Sequence, residues 1–110
     1  MEFAIQNVDE LVAVIRGEGR LNMVSAPRLR EAVAESVAAG RPRVVVDLSA
    51  VEFMDSSGLG ALVGCLKTTR QAGGDLRIAA PSAQVTMVLQ LSNLDRILTS
   101  YPTAMDAYRD

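Results

Sequence analysis

The pattern of hydrophobic and polar positions changes character several times along the chain, and each change marks an element. Glu2 to Val8 and Leu11 to Arg16 are short apolar-rich runs on either side of Asp9-Glu10, which predicts two strands joined by a tight turn and paired antiparallel. The two glycines of Gly17-Glu18-Gly19-Arg20-Leu21-Asn22 break that pattern. Ser25 then offers an N-cap and Pro27 a first-turn proline. Beyond them Leu29, Val33 and Val37 recur every fourth residue, with Arg28, Arg30, Glu31 and Glu35 elsewhere on the cylinder. This is a helix with one apolar face, ended by Gly40 and Pro42.

Arg43-Val44-Val45-Val46-Asp47-Leu48 shows almost no alternation, the mark of a strand covered on both faces as in a parallel sheet, and we expect it at the centre. A short connection, Ser49 to Asp55, leads to a second helix from about Ser57 to Gln71 with Leu59, Leu62, Val63 and Leu66 as its buried stripe and Gly73-Gly74 at its end. Asp75 to Ala80 reads as a further strand. Pro81-Ser82 caps a third helix carrying Val85, Val88 and Leu89, which Asn93 helps to end. Ile97 to Ser100 is expected as a last edge strand, and Pro102 opens a short final helix. Strand and helix in succession imply parallel pairing, to which the first hairpin adds an antiparallel edge. The fold class is therefore α/β, one domain over residues 1–110, with a mixed sheet of four to five strands and helices packed on it. No repeat, low-complexity tract or linker divides it.

Composition narrows the chemistry. In 110 residues, 49% of them hydrophobic, the aromatics are only Phe3, Phe53, Tyr101 and Tyr108, so the core is built of Val, Leu, Ile, Ala and Met. The net charge is −2 and no basic run is interleaved with aromatics, which argues against a nucleic-acid partner. No basic stretch precedes an apolar one at the start and no apolar run is long, so neither a signal peptide nor membrane insertion is expected and the cytoplasm is the expected compartment. Cys65 stands alone, on the apolar face of the second predicted helix, as a small buried thiol. There is no histidine, which removes the usual general base, the usual zinc ligand and any phosphohistidine relay. We expect no metal, no cofactor and no catalytic residue. A hydrolase elbow would need Gly-x-Ser-x-Gly and a base, and Gly58-Leu59-Gly60 lacks the third glycine of a nucleotide loop, with no Gly-Lys-Ser/Thr following.

The distinctive segment is Phe53-Met54-Asp55-Ser56-Ser57-Gly58-Leu59-Gly60, where a buried strand gives way to a helix. The first N–H groups of a helix have no intrahelical partner and favour an anion. A hydroxyl there caps the helix, or accepts a phosphoryl group whose charge of about −1.5 to −2 lies at the positive end of the helix dipole. Residue types alone leave both roles open for the two serines. They also leave Gly58, Gly60 and Gly64 between close helix packing and a bare surface for a partner.

Val44-Val45-Val46-Asp47-Leu48-Ser49 followed by Phe53 to Gly60 resembles the signature of bacterial anti-sigma-factor antagonists, which belong to the STAS domains. The similarity runs over nearly the whole chain: Gly19-Arg20-Leu21-Asn22 resembles the family's turn, Ala26-Pro27-Arg28-Leu29 its first helix, and Gly73-Gly74-Asp75-Leu76 the entry to its next strand. The resemblance implies a partner switch. The unmodified protein binds an anti-sigma factor that is also a serine kinase and so frees the sigma factor; phosphorylation abolishes binding, and a serine phosphatase resets it. By the same resemblance Ser56 is the phosphoacceptor, Ser57 the helix cap, and Asp55 helps to present the hydroxyl. Gly58, Leu59 and Gly60 shape the partner surface. Asn22 stands where the family usually has Asp, and is expected to lessen repulsion against a phosphate on Ser56. The alternative within the same fold is a non-catalytic STAS subunit of a lipid-transport ABC complex, without a phosphorylation cycle.

Overall fold

The computed structural model describes residues 1–108; the last two positions of the expected 1–110 domain lie outside the described residues. The chain runs β1 (Phe3–Asn7), β2 (Val12–Gly17), β3 (Gly19–Leu21), α1 (Ala26–Ala38), β4 (Arg43–Asp47), β5 (Val51–Met54), α2 (Ser56–Gln71), β6 (Asp75–Ala79), α3 (Ala83–Leu91) and β7 (Ser100–Tyr101). Single 3-10 turns lie before β7 at Leu94–Arg96 and after it at Ala104–Asp106. Five strands form one sheet in the order β1-β2-β4-β6-β7. β1 is antiparallel to β2 and every other pairing is parallel, so the mixed sheet expected from the pattern is the one observed.

β4 is the middle strand, and its lack of alternation has a direct cause. Val44 and Val46 point into the main core with Ile15, Leu29, Leu62, Leu76 and Ile78, while Val45 points the other way, into a second cluster with Val12, Val14, Ala79 and Ala107. The helices cover the first face. The second is covered by the C-terminal segment, held by the Tyr108 hydroxyl donating to Asp75 O at 2.8 Å, by Arg77 stacked over the Tyr108 ring, and by an Arg77 guanidinium bond to Ala107 O. With no solvent on either side, β-branched residues suit every position.

Four expectations need correction. The segment from Gly17 to Asn22 does not merely interrupt the pattern, and Ser49 to Asp55 is no plain connection: they contain β3 and β5, which pair in parallel as a separate two-stranded sheet. The last strand is Ser100–Tyr101 rather than 97–100. Residues 94–96 form a 3-10 turn instead, after Asn93 ends α3 in the left-handed conformation, and Leu98 is buried in the core. The buried stripe of α2 is Gly58, Ala61, Leu62, Cys65, Leu66 and Thr69, with Leu59 and Val63 half-buried at its flank, because α1 packs beside α2 and turns its small residues inward. Ser25 occupies the N-cap position of α1 but has helical dihedrals and makes no capping bond. Its hydroxyl reaches back instead, donating to Arg20 O at 2.8 Å and accepting from Asn22 N–H at 2.9 Å.

Candidate functional site

The small β3–β5 ribbon carries the site. Its register sets Leu21 opposite Met54, so the next residues, Asn22 and Asp55, leave the two strands side by side. The Asp55 N–H donates to Leu21 O at 3.2 Å, which fixes the point where β5 becomes α2. Asp55 itself is extended, and its carboxylate accepts from the N–H groups of Ser57 at 2.9 Å and Gly58 at 3.0 Å, while the Leu59 N–H donates to Asp55 O. Asp55 is thus the helix cap, and the expectation that Ser57 caps is corrected. A carboxylate one residue before the helix satisfies two orphan N–H groups and places negative charge at the positive end of the dipole, whereas Ser57 lies already inside the first turn.

That correction frees the serines. Ser56 is the first residue of α2, exposed, with its hydroxyl outside the capping bonds, and Ser57 follows half-buried. The glycines now separate by role. A Cβ on Gly58 would run into Leu21 O and lie 2.8 Å from Leu21 Cγ and 2.9 Å from Met54 Cγ, so Gly58 is what lets α2 sit down on the ribbon. A Cβ on Gly60 would meet nothing within 4 Å, and that residue lies bare on the outer face beside Ser56. A Cβ on Gly64 would lie 3.6 Å from the Arg30 guanidinium on α1, an ordinary contact.

Asn22 serves the neighbouring turn. Its Oδ1 accepts from Val24 N–H at 3.0 Å and Ser25 N–H at 3.2 Å, and its carbonyl accepts from Ala26 N–H at 2.8 Å, so it shapes the entry to α1 where β3 ends. Between Asn22 and Ser25 the turn lifts Met23 and Val24 into solvent, 73% and 78% exposed. Two adjacent apolar side chains held out beside a motif are a surface feature that the sequence reading passed over. Their signal was weak: an apolar pair in a loop, without period. Arg20 stacks over Phe53 at 4.6 Å on the same ribbon.

Gln84 was missed altogether. From α3 its carboxamide accepts from Met54 N–H at 2.9 Å and donates to Met54 O at 3.0 Å, one residue before the cap. No pattern singles out a glutamine in the first turn of a helix.

Two buried groups outside the ribbon complete the electrostatics. Burial pushes the Asp47 carboxyl up, but the Ser49 N–H and hydroxyl and the Arg16 guanidinium outweigh it and hold it below the ordinary aspartate value. Arg16 reaches Asp47 Oδ2 through two nitrogens, at 2.8 and 2.6 Å. The Cys65 thiol is buried and pushed up to about 11 by desolvation, against a smaller opposing pull from Arg30. It is therefore a packed thiol in the core, as expected, and protonated at neutral pH. Among the described residues, no group of three or more His, Cys, Asp or Glu is placed to hold a metal ion. No helix there is long and apolar enough to cross a membrane.

The STAS domain model matches residues 4–107. The chain belongs to the STAS domain family. The anti-sigma-F factor antagonist RsfB of Mycobacterium tuberculosis is 33% identical over 98 residues, spanning 87% of this STAS chain and 78% of that protein. The crystal structure of an anti-sigma factor antagonist from Mycobacterium paratuberculosis, also 33% identical, superposes with a TM-score of 0.83 over 96% of this chain and 88% of its own. The unphosphorylated form of the anti-sigma factor antagonist SpoIIAA, at 24% identity, shares the STAS fold with a TM-score of 0.81 over 96% and 91% of the two chains. The family resemblance carried by Val44 to Ser49 and Phe53 to Gly60 is thus borne out.

Proposed function

We propose that this STAS protein is an anti-sigma-factor antagonist whose binding is switched by phosphorylation of Ser56. The observation that carries the reading is the exposed Ser56 at the head of α2, its hydroxyl left out of a cap that Asp55 provides. The names of relatives such as RsfB support the antagonist class. In the unmodified state the partner, an anti-sigma factor that is also the serine kinase, docks over Ser56, Gly60 and the exposed Met23-Val24 turn. Gly60 allows close approach and the two apolar side chains supply burial. The kinase transfers the γ-phosphoryl group of ATP to Ser56 Oγ, releasing ADP and the hydroxyl proton. A phosphate of about −1.5 to −2 charge at the centre of a small interface is costly to desolvate, so the complex dissociates without a large rearrangement. In the free protein the head of α2 tolerates the charge through its dipole. A serine phosphatase returns the protein to its binding form. The chain itself performs no chemistry in this cycle, needs no cofactor, and works in the cytoplasm.

The test is intact-mass measurement after incubation with ATP and each candidate anti-sigma kinase from the same genome, on the natural protein and on Ser56→Ala and Ser57→Ala. One added phosphate, lost only in Ser56→Ala, together with release of the kinase on phosphorylation, is the expected result. No phosphate with any of these kinases, alongside stable binding to a transport ATPase, would overturn the reading in favour of a structural subunit.

A further inference from the structure

The two-stranded ribbon has a defect that its own strands do not repair. β5 pairs with β3 along one edge, while its other edge faces α3 and, among the described residues, has no strand beside it. A half-buried peptide group on that edge needs one donor and one acceptor from elsewhere. Gln84 supplies both to Met54, at 2.9 and 3.0 Å, and a carboxamide is the side-chain group that imitates a peptide in this way. Asp55 is the next residue, fixed on its other side by Leu21 O, and Ser56 is the one after that. Only one residue therefore separates the clamped peptide from the exposed hydroxyl.

We infer that Gln84 is a positioning residue for the modification of Ser56: its carboxamide stands in for a missing strand and holds the cap and the hydroxyl in the geometry that the phosphoryl donor meets. This rests on the reading of Ser56 as phosphoacceptor. Both carboxamide bonds of Gln84 go to the Met54 backbone, and it acts through that peptide. Losing the clamp lets the end of β5 and the first turn of α2 shift together, and misplacement of a reacting atom by about 1 Å can cost as much as ~100-fold in rate. The larger effect falls on the transfer step: Ser56 and Gly60 shift with the first turn of α2, but the Met23-Val24 part of the docking surface hangs on β3 and α1 and not on α3.

The experiment follows phosphate transfer to the full chain by the cognate anti-sigma kinase with ATP, for the natural protein, Gln84→Ala and Gln84→Glu, well below each melting temperature. For Gln84→Ala we expect kcat to fall roughly tenfold with a smaller rise in KM. Hydrogen exchange by NMR should show lost protection at the Met54 amide. Gln84→Glu adds a pH signature: the neutral carboxyl keeps both bonds, the carboxylate loses the donor to Met54 O, so its rate relative to the natural protein should rise as pH falls. If the natural protein takes phosphate on Ser56 and Gln84→Ala matches its kcat with only a lower melting temperature, Gln84 is a stability contact and the inference is overturned alone. A flat pH ratio for Gln84→Glu overturns it too. A natural protein that takes no phosphate on Ser56 overturns both this inference and the function it rests on.

Discussion

The middle of the large sheet and the small β3–β5 ribbon solve the same problem by opposite means. β4 has a strand on each edge and apolar cover on each face, so its backbone bonds are made by its neighbours and its side chains need only be β-branched and apolar. The ribbon has two strands of three and four residues, too few to stand alone. Individual residues complete it: Asp55 caps, Gln84 fills the open edge, Gly58 lets the helix close, and Asn22 and Ser25 bind the turn. The frame is redundant and the site depends on single residues. The proposed switch would benefit from that division, since a local charge change can then alter the ribbon's surface while the frame stays folded.

The largest effect tests the frame. Leu76 on β6 is fully buried, and Leu76→Ala should destabilise the protein by about 2–5 kcal/mol, read as a lower denaturant midpoint. Phosphate transfer to the remaining folded fraction should keep its rate. A loss of rate in excess of the unfolded fraction would show that frame and site are not separable.

Gly58→Ala strikes the ribbon instead. Its Cβ has nowhere to go between Leu21 and Met54, and overpacking of this kind costs about 1–3 kcal/mol. Here the rate at Ser56 should fall even in protein that is fully folded. Gly60→Ala is the control, with open space around the new methyl group and no expected loss of stability beyond helix propensity, which favours alanine. Equal melting temperatures for the two variants would contradict the assignment of Gly58 to packing.

A smaller effect comes from Asp47, where the frame hands the chain on to the ribbon. Its folded carboxyl lies below the unfolded value, so the stability it contributes is present above the unfolded value of about 3.9 and is lost as pH falls through the folded one. In Asp47→Asn that share of the acid dependence should disappear, leaving a flatter decline of stability below about pH 4. An unchanged acid limb would mean that the Arg16 and Ser49 bonds make no net difference between folded and unfolded chains.

The contrast also explains what could be read from the residues. Val44 to Val46, the Leu29-Val33-Val37 repeat and the Gly73-Gly74 stop each record an element through many like contacts, and period and punctuation report such averages well. β3 and β5 were invisible because three or four residues are too few to show a period repeating, and because Gly19, which lies at positive φ, looks like a simple breaker. The expectation that Ser57 caps follows from giving Ser56 the phosphoryl group by resemblance; serine and aspartate are both good caps, and the extended backbone and two carboxylate bonds of Asp55 decide between them. Gln84 was out of reach for a different reason. Its partner is a backbone peptide thirty residues away, and a bond to the backbone leaves no mark on the residue type of the partner.

Asn22 gives the finest test, because a single atom's change pulls its two roles apart. In Asn22→Asp the new carboxylate still accepts from Val24 and Ser25 N–H groups, now with charge assistance, so the turn should hold at least as well and the melting temperature should not fall. The same charge stands one position past the Leu21–Met54 pair at the end of β3, as Asp55, the residue that precedes Ser56, stands one position past it at the end of β5. Across solvent and at physiological salt that repulsion against a dianionic phosphate is worth no more than about 1 kcal/mol, a few-fold in rate or equilibrium. We therefore expect slower phosphorylation of Asn22→Asp, with the difference shrinking as salt is raised. Equal rates at low salt would remove any electrostatic role for Asn22 and leave it as a turn residue alone; a faster rate would mean that the kinase reads the carboxylate directly.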